Sequence, residues 1–127
     1  MKSARNGRKI LSQMPFLRIQ TNIELEDEKR IELGARVSSL IAESLSKPEA
    51  VVQVQVQAGE TLLFGGSLVP NAFIELRSLG LPDDLNPFSA QLSQIILEQL
   101  QIAPDRVFIN FFDLPRSHWA WKGKTFG

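Results

Sequence analysis

Apolar and polar residues alternate at the start of the patterned part of the chain, where Leu17, Ile19 and Thr21 interleave with Arg18 and Gln20. This is the pattern of a strand with one wet face. The period then changes. Across residues 27–45, Leu33, Val37, Leu40, Ile41 and Leu45 share one helical face, Asp27 and Glu28 sit near the positive end, and Pro48 supplies the stop. Val52, Val54 and Val56 next alternate with Gln53, Gln55 and Gln57, the clearest strand in the chain. Glutamines opposite valines predict a face that is solvated or set against polar partners. Phe73-Ile74-Glu75-Leu76 predicts a further strand, reaching back to Val69. Asn86 as cap and Pro87 in the first turn predict a helix through Leu100, with Phe88, Leu92, Ile95, Ile96 and Leu100 on its apolar face. Val107 to Phe112 predicts the last strand.

The chain repeats itself at an offset of 55 residues. Ala35, Val37, Ser38, Leu40, Ile41, Glu43 and Leu45 fall against Ala90, Leu92, Ser93, Ile95, Ile96, Glu98 and Leu100. Without a gap, Val52, Val54 and Val56 then meet Val107, Ile109 and Phe111, and upstream Ile19 meets Ile74. One offset holding through both a helical and a strand pattern implies a tandem strand–helix–strand unit. The predicted fold class is α+β, a duplicated β-α-β in the split, ferredoxin-like arrangement, with two helices across a four-stranded mixed sheet. Two helices cover only one face of that sheet. The apolar row Val107, Ile109 and Phe111, with Phe108 and Phe112 on the other side, predicts that the uncovered face meets partner subunits.

Composition sharpens this picture. At 127 residues the chain is one domain, or one subunit whose core partners complete. Its zero net charge hides an asymmetry: Lys2, Arg5, Arg8 and Lys9 give residues 1–13 a charge of +4, and the rest carries −4. An acidic body has no reason to track a phosphate backbone, so no nucleic-acid partner is expected. The absence of cysteine excludes a disulfide framework, a thiol nucleophile, a Cys-ligated zinc site and an iron–sulfur cluster. No apolar run approaches the roughly 18 residues that cross a membrane, and the basic N-terminal stretch lacks the apolar segment of a secretion signal. No membrane partner and a cytoplasmic location are expected. Residues 1–13 read as a basic extension, disordered or the product of a misplaced start codon, ahead of a domain over 14–127.

Singly, the candidate chemical groups are bland. Phe64-Gly65-Gly66-Ser67 lacks the spacing and lysine of a phosphate loop and reads as a turn. His118, the sole histidine, has no companion ligand, so no metal is expected and a surface position is. Ser67 and Ser78 have no evident base. Lys47 beside Pro48 reads as a solvated helix-end cation. Asn110 needs hydrogen-bond partners if it is buried, and the aromatics Phe108, Trp119, Trp121 and Phe126 suit core or interface packing. Pro15 stands ordinarily at a strand's start.

Together they carry a resemblance. Met14-Pro15-Phe16, Ser46-Lys47-Pro48, Leu63-Phe64-Gly65-Gly66-Ser67, Arg77-Ser78-Leu79-Gly80, Ala103-Pro104-Asp105-Arg106-Val107-Phe108-Ile109-Asn110 and Trp121-Lys122-Gly123-Lys124-Thr125-Phe126 occur in that order. Over residues 14–127 the chain resembles the macrophage migration inhibitory factor and D-dopachrome tautomerase family of the tautomerase superfamily. The resemblance implies a homotrimer with an active site at each subunit boundary. It also implies keto–enol tautomerisation of small aromatic α-keto acids such as phenylpyruvate, and of dopachrome-like compounds, without a metal or organic cofactor. Pro15, freed of Met14 by a start at that methionine or by processing, would be the general base and then acid. Lys47 would hold the substrate carboxylate, Ser78 and Leu79 would line the pocket, and Asn110 would reach in from a neighbouring subunit. Trp121 and Phe126 would be aromatic walls, with Trp119 at a position aliphatic in some relatives.

Two departures stand out. Phe108 replaces a tyrosine of vertebrate members, which removes an O–H donor and implies altered substrate preference rather than inactivity. Asn71-Ala72-Phe73-Ile74 occupies the region of the Cys-x-x-Cys pair of some relatives, so thiol redox activity is excluded. Two rivals follow from the same residues: a non-catalytic trimer that binds small aromatics or a protein partner, and a ligand-sensing ferredoxin-like domain.

Overall fold

The computed structural model describes residues 14–127, and the extension read over residues 1–13 lies outside the described residues. The elements run β1 (Phe16–Thr21), α1 (Asp27–Ser44), β2 (Gln53–Gln57), β3 (Ala72–Ser78), α2 (Asn86–Leu100) and β4 (Val107–Asp113). A short hairpin of β5 (Ala120–Trp121) and β6 (Lys124–Thr125) follows. β1 pairs parallel with β2 and antiparallel with β3, and β3 pairs parallel with β4, so the sheet order is β2-β1-β3-β4. Each helix carries the chain back to a strand parallel to the one before it, as a parallel pair requires. The duplication is therefore real in three dimensions.

The two copies differ in register by two residues. Ile19 pairs with Val56, whereas Ile74 pairs with Ile109 rather than with Phe111, the residue that the offset equates with Val56. A slip of two keeps every side chain on its own face, so the core pattern survives. That core joins Leu17 and Ile19 of β1 and Ile74 and Leu76 of β3 to Leu33, Val37 and Ile41 of α1. From α2 come Phe88, Leu92, Ile95, Ile96 and Leu100. Side chains of this size stabilise by about 1.5–3 kcal/mol each when fully buried. Arg36 of α1 forms an ion pair with Glu98 of α2, tying the helices together at the surface.

Val107, Ile109 and Phe111 pack against this helix-covered core, with the Phe111 and Phe88 ring centroids 6.1 Å apart. The apolar row of β4 thus belongs to the covered face, and Phe108, Asn110 and Phe112 are what β4 exposes on the other. Three rows cross the uncovered face: Gln53, Phe16, Arg77 and Phe112; Gln55, Arg18, Glu75 and Asn110; Gln57, Gln20, Phe73 and Phe108. The polar partners predicted for the glutamines are on β1. Arg18 Nε donates to Gln55 Oε1 at 3.0 Å and Gln20 Nε2 donates to Gln57 Oε1 at 3.1 Å.

Three local expectations change. α1 ends at Ser44, before Pro48 can stop it; Ser46 turns left-handed at φ 53° and the Lys47 N–H bonds the Ala42 carbonyl. This six-to-one bond around a left-handed residue is a Schellman closure. Asn86 is the first helical residue rather than the cap, and Asp84 Oδ1 accepts its N–H at 3.0 Å. β3 starts at Ala72 rather than at Val69, because Pro70 has no N–H to give a ladder. The Gly65–Gly66 turn does form: Phe64 and Ser67 exchange both backbone bonds, with φ 59° and 75° at the glycines.

Candidate active site

Pro15 is placed by its backbone. Its carbonyl accepts the Gln53 N–H at 3.0 Å, the first rung of the parallel β1–β2 pairing, which fixes the residue at the end of an inner strand of the sheet. Beside it opens a cleft of about 380 Å³ lined by Met14, Pro15, Val51, Gln53, Trp119 and Trp121, among others. Both tryptophans come from the C-terminal segment. Its hairpin closes through Lys122 and Gly123, at φ 55° and 79°, the doubly left-handed geometry of a tight two-residue turn. Arg116 fastens that segment. Its Nε donates to the Phe126 carbonyl at 3.1 Å, and the Phe126 N–H bonds the carbonyls of Arg116 and Trp119. Phe126 therefore anchors the hairpin rather than lining the Pro15 cleft.

Lys47 is buried, with 6% of its surface exposed, which overturns the reading of a solvated helix-end cation. The Schellman closure of α1 turns the chain so that its ammonium donates to the Gly80 carbonyl at 2.6 Å and the Leu79 carbonyl at 3.3 Å. Burial pushes its pKa below the ordinary lysine value, and the charge of Asp113 acts in the opposite direction. A second concavity, about 300 Å³, is lined by Ser44, Leu45, Ser46, Lys47 and residues Leu79 to Pro82. Lys47 heads the segment whose residues 50–53 line the Pro15 cleft, through a single 3-10 turn at Glu49–Val51. Ser78 and Leu79 are buried; the Ser78 hydroxyl donates to the Gly80 carbonyl at 3.3 Å, so it braces the turn.

Phe108 and Asn110 lie elsewhere, on the uncovered face of β4, an edge strand. Asn110 is exposed and so needs no internal hydrogen-bond partner. The Phe108 ring is 58% exposed and packs on Phe64, with centroids 4.7 Å apart. Phe64 is in turn held by Arg106, whose guanidinium lies 4.9 Å over its ring and bonds the carbonyls of Phe64, Ser67, Val69 and Pro70. Within one chain, Pro15, Trp119 and Trp121 share one concavity, Lys47 and Leu79 another, and Phe108 and Asn110 neither.

Several groups at these sites escaped the sequence reading. Gln53 borders Pro15, and Asp113 accepts the Gly80 N–H at 2.9 Å. The alternation of β2 could have placed Gln53 on the Pro15 side; nothing in sequence links Asp113 to Gly80. His118 is exposed, as expected. Asn71 is a buried strut whose Nδ2 donates to the Leu62 and Val69 carbonyls. Among the described residues, no group of three or more His, Asp or Glu side chains could hold a metal ion, and no helix is long and apolar enough to cross a membrane.

Residues 14–127 match the family described as Macrophage migration inhibitory factor. A macrophage migration inhibitory factor homolog of Brugia malayi is 34% identical over 116 residues, covering 90% of this chain and all of that protein. A homolog of Trichuris trichiura is 35% identical over 115 residues, covering 89% and 100%. The crystal structure of a homologue from Prochlorococcus marinus superposes with a TM-score of 0.82 at 32% identity, covering 88% of this chain and 99% of that one.

Proposed function

The chain belongs to the macrophage migration inhibitory factor family, and from that premise we propose that it is a keto–enol tautomerase of small aromatic α-keto acids, with the amine of Pro15 as its proton carrier. The observation that carries the reading is the placement of Pro15, fixed through its carbonyl at the edge of a cleft with two tryptophan walls. A ring-bearing substrate suits such walls. In phenylpyruvate, the carbon between ring and carbonyl would lose a proton to the Pro15 nitrogen. The C–H electron pair becomes the new C=C bond, the carbonyl π pair moves onto oxygen, and that oxygen takes the proton back from Pro15. The reverse path uses the same atoms. No electron is gained or lost, so the reaction calls for no redox group.

A terminal amine has an ordinary pKa near 7.7–8.0. Apolar surroundings and a positive charge brought near it in the assembled site would both favour its free-base form, which would match the base to neutral pH. Lys47 would take the substrate carboxylate, beside Ser78 and Leu79, with Trp119, Trp121 and Phe126 forming or bracing the aromatic wall. Phe108 and Asn110 would come from a neighbouring copy in a homotrimer. Support for that assembly is their position on an edge strand, away from the Pro15 cleft, together with the exposed rings of Phe108 and Phe112. In this reading residues 14–127 are the working domain.

The reaction needs Met14 removed, since an internal proline is a tertiary amide with no basic nitrogen. Met14 is buried and lines the same cleft. That favours a second reading for the chain that keeps it: a non-catalytic trimer binding small aromatics or a protein partner. Phenylpyruvate enolisation by the full chain and by a chain beginning at Pro15 separates the two. Turnover confined to the latter supports the tautomerase, and turnover by neither leaves the binding protein.

A further inference from the structure

Asp113 closes β4 against the turn that Lys47 grips. Its Oδ1 accepts the Gly80 N–H at 2.9 Å, while the Gly80 carbonyl accepts from Lys47 Nζ at 2.6 Å. One residue is thus clasped at both ends, by an acid at its donor and a base at its acceptor. Gly80 sits at φ 82°, a conformation that glycine adopts freely and other residues resist. Leu79 beside it is buried and packed, whereas Gly80 has no side chain to hold it, so the clasp sets the orientation of its peptide groups. The backbone adds one tie, from the Leu114 N–H to the Ser78 carbonyl at 2.9 Å.

The charges around Lys47 single out the same residue. The end of α1 presents Ser44, Leu45 and Ser46 to the concavity, and the turn presents Leu79, Gly80, Leu81 and Pro82, none of them ionisable. Glu49, Asp83 and Asp84 lie near in sequence but are exposed and make no bond to Lys47. Asp113 is the carboxylate whose field opposes the effect of burial on the ammonium.

We propose that Asp113 is a positioning residue for anion capture, holding the Gly80 turn in place and keeping the Lys47 ammonium aimed and charged for a substrate carboxylate. The proposal rests on the reading of Lys47 as the carboxylate holder. It explains why a lysine largely removed from water stands near an acid that does not bond it directly. A direct ion pair would occupy the ammonium, whereas an acid acting through the turn leaves it free to meet an incoming anion.

The test uses the lysine 13Cε signal of labelled protein, assigned by its loss in Lys47→Arg, in the full chain and in the chain beginning at Pro15. In Asp113→Asn the Lys47 titration should move to lower pH. The dissociation constant for phenylpyruvate, read from the same signal, should rise by roughly threefold to fivefold above that pH and little below it. Asp113→Glu should restore most of both. An unmoved titration in Asp113→Asn, or weakening that is uniform with pH and not recovered by Asp113→Glu, overturns the proposal. Neither readout depends on turnover. An inactive chain beginning at Pro15 that still shows the linked shifts sinks the tautomerase reading while leaving Asp113 in its role.

Discussion

The Gln53 N–H bonds the carbonyl oxygen of Pro15 at 3.0 Å, so the residue that precedes β1 is held by the first residue of β2. That bond uses only backbone atoms. A substitution at position 15 can therefore change the amine and its ring without releasing the strand end from the sheet.

Pro15→Gly, in a chain starting at position 15, should keep its assembly state by light scattering and lose roughly tenfold or more in kcat for phenylpyruvate. Glycine retains a terminal amine and the same carbonyl anchor. It loses the rigid ring that fixes the direction of the nitrogen lone pair. Equal kcat in the two proteins would remove the case for a proline base.

The duplicated fold was legible in the sequence because its signals are local and redundant. Leu17 and Ile19 alternate within a few residues, Leu33, Val37 and Ile41 recur at helical spacing, and one offset repeats both patterns. Registers and ends were less so. The two-residue difference between the Ile19–Val56 and Ile74–Ile109 pairings leaves the hydrophobic pattern unchanged, so no pattern could show it. Asn86 has the composition of a cap, but the loop that enters α2 puts Leu85 at the cap position and leaves Asp84 to accept the Asn86 N–H. Lys47 was misread as solvated because its burial comes from the Leu79–Gly80 turn, over thirty residues away and closed by Asp113. Phe126 and Asn110 drew their roles from resemblance. One chain brings neither into the Pro15 cleft, since the first anchors a hairpin and the second faces away.

Lys47→Ala should raise KM for phenylpyruvate by about tenfold to a hundredfold, with a smaller effect on uncharged substrates, as expected for loss of a bond to a charged group. The wild-type KM should also climb with pH earlier than an ordinary lysine would allow, because burial lowers the pKa of Lys47. Stability runs in the other direction. Between that lowered value and 10.5 the unfolded chain binds more protons at this site than the folded one, so folding gains as pH rises across the window. The urea midpoint of wild type relative to Lys47→Met should therefore increase from neutral pH towards 10.5. A flat difference would show that Lys47 titrates alike in both states.

Shared sites can be tested by mixing. Pro15→Gly and Asn110→Ala chains, each weak alone, should recover activity when unfolded and refolded together at equal amounts. If each site takes Pro15 from one subunit and Asn110 from the next, roughly one site in four regains both intact residues. Activity equal to the mean of the two parents would place Asn110 outside the neighbour's site.

Ser46 carries the left-handed position of the Schellman closure at φ 53°, a position where glycine is usual. Ser46→Gly should stabilise the fold by about 0.5–1 kcal/mol, since relief of left-handed strain outweighs the added freedom of the unfolded chain. Thermal unfolding reads this directly, and a lower Tm would mean that Ser46 contributes more than its backbone angle.

Phe108 offers the sharpest test of substrate preference. Its ring is oriented from one side by Phe64, which Arg106 locks through four carbonyls of residues 64–70, and its other side is open. Phe108→Tyr adds a hydroxyl to a ring whose position is already set, so Tm should move by no more than about 3 °C. If that ring faces the site of a neighbouring copy, the new donor should favour substrates with an oxygen on the ring. The ratio of kcat/KM for a dopachrome-like substrate to that for phenylpyruvate should then rise by about threefold to tenfold, the range of one hydrogen bond. Phe108→Leu separates the ring from its hydroxyl: it should weaken both substrates together, because it removes a stacking surface and supplies no donor. An unchanged ratio in Phe108→Tyr, with both activities intact, would take Phe108 off the substrate's path and leave its contact with Phe64 as a brace for the 64–70 loop.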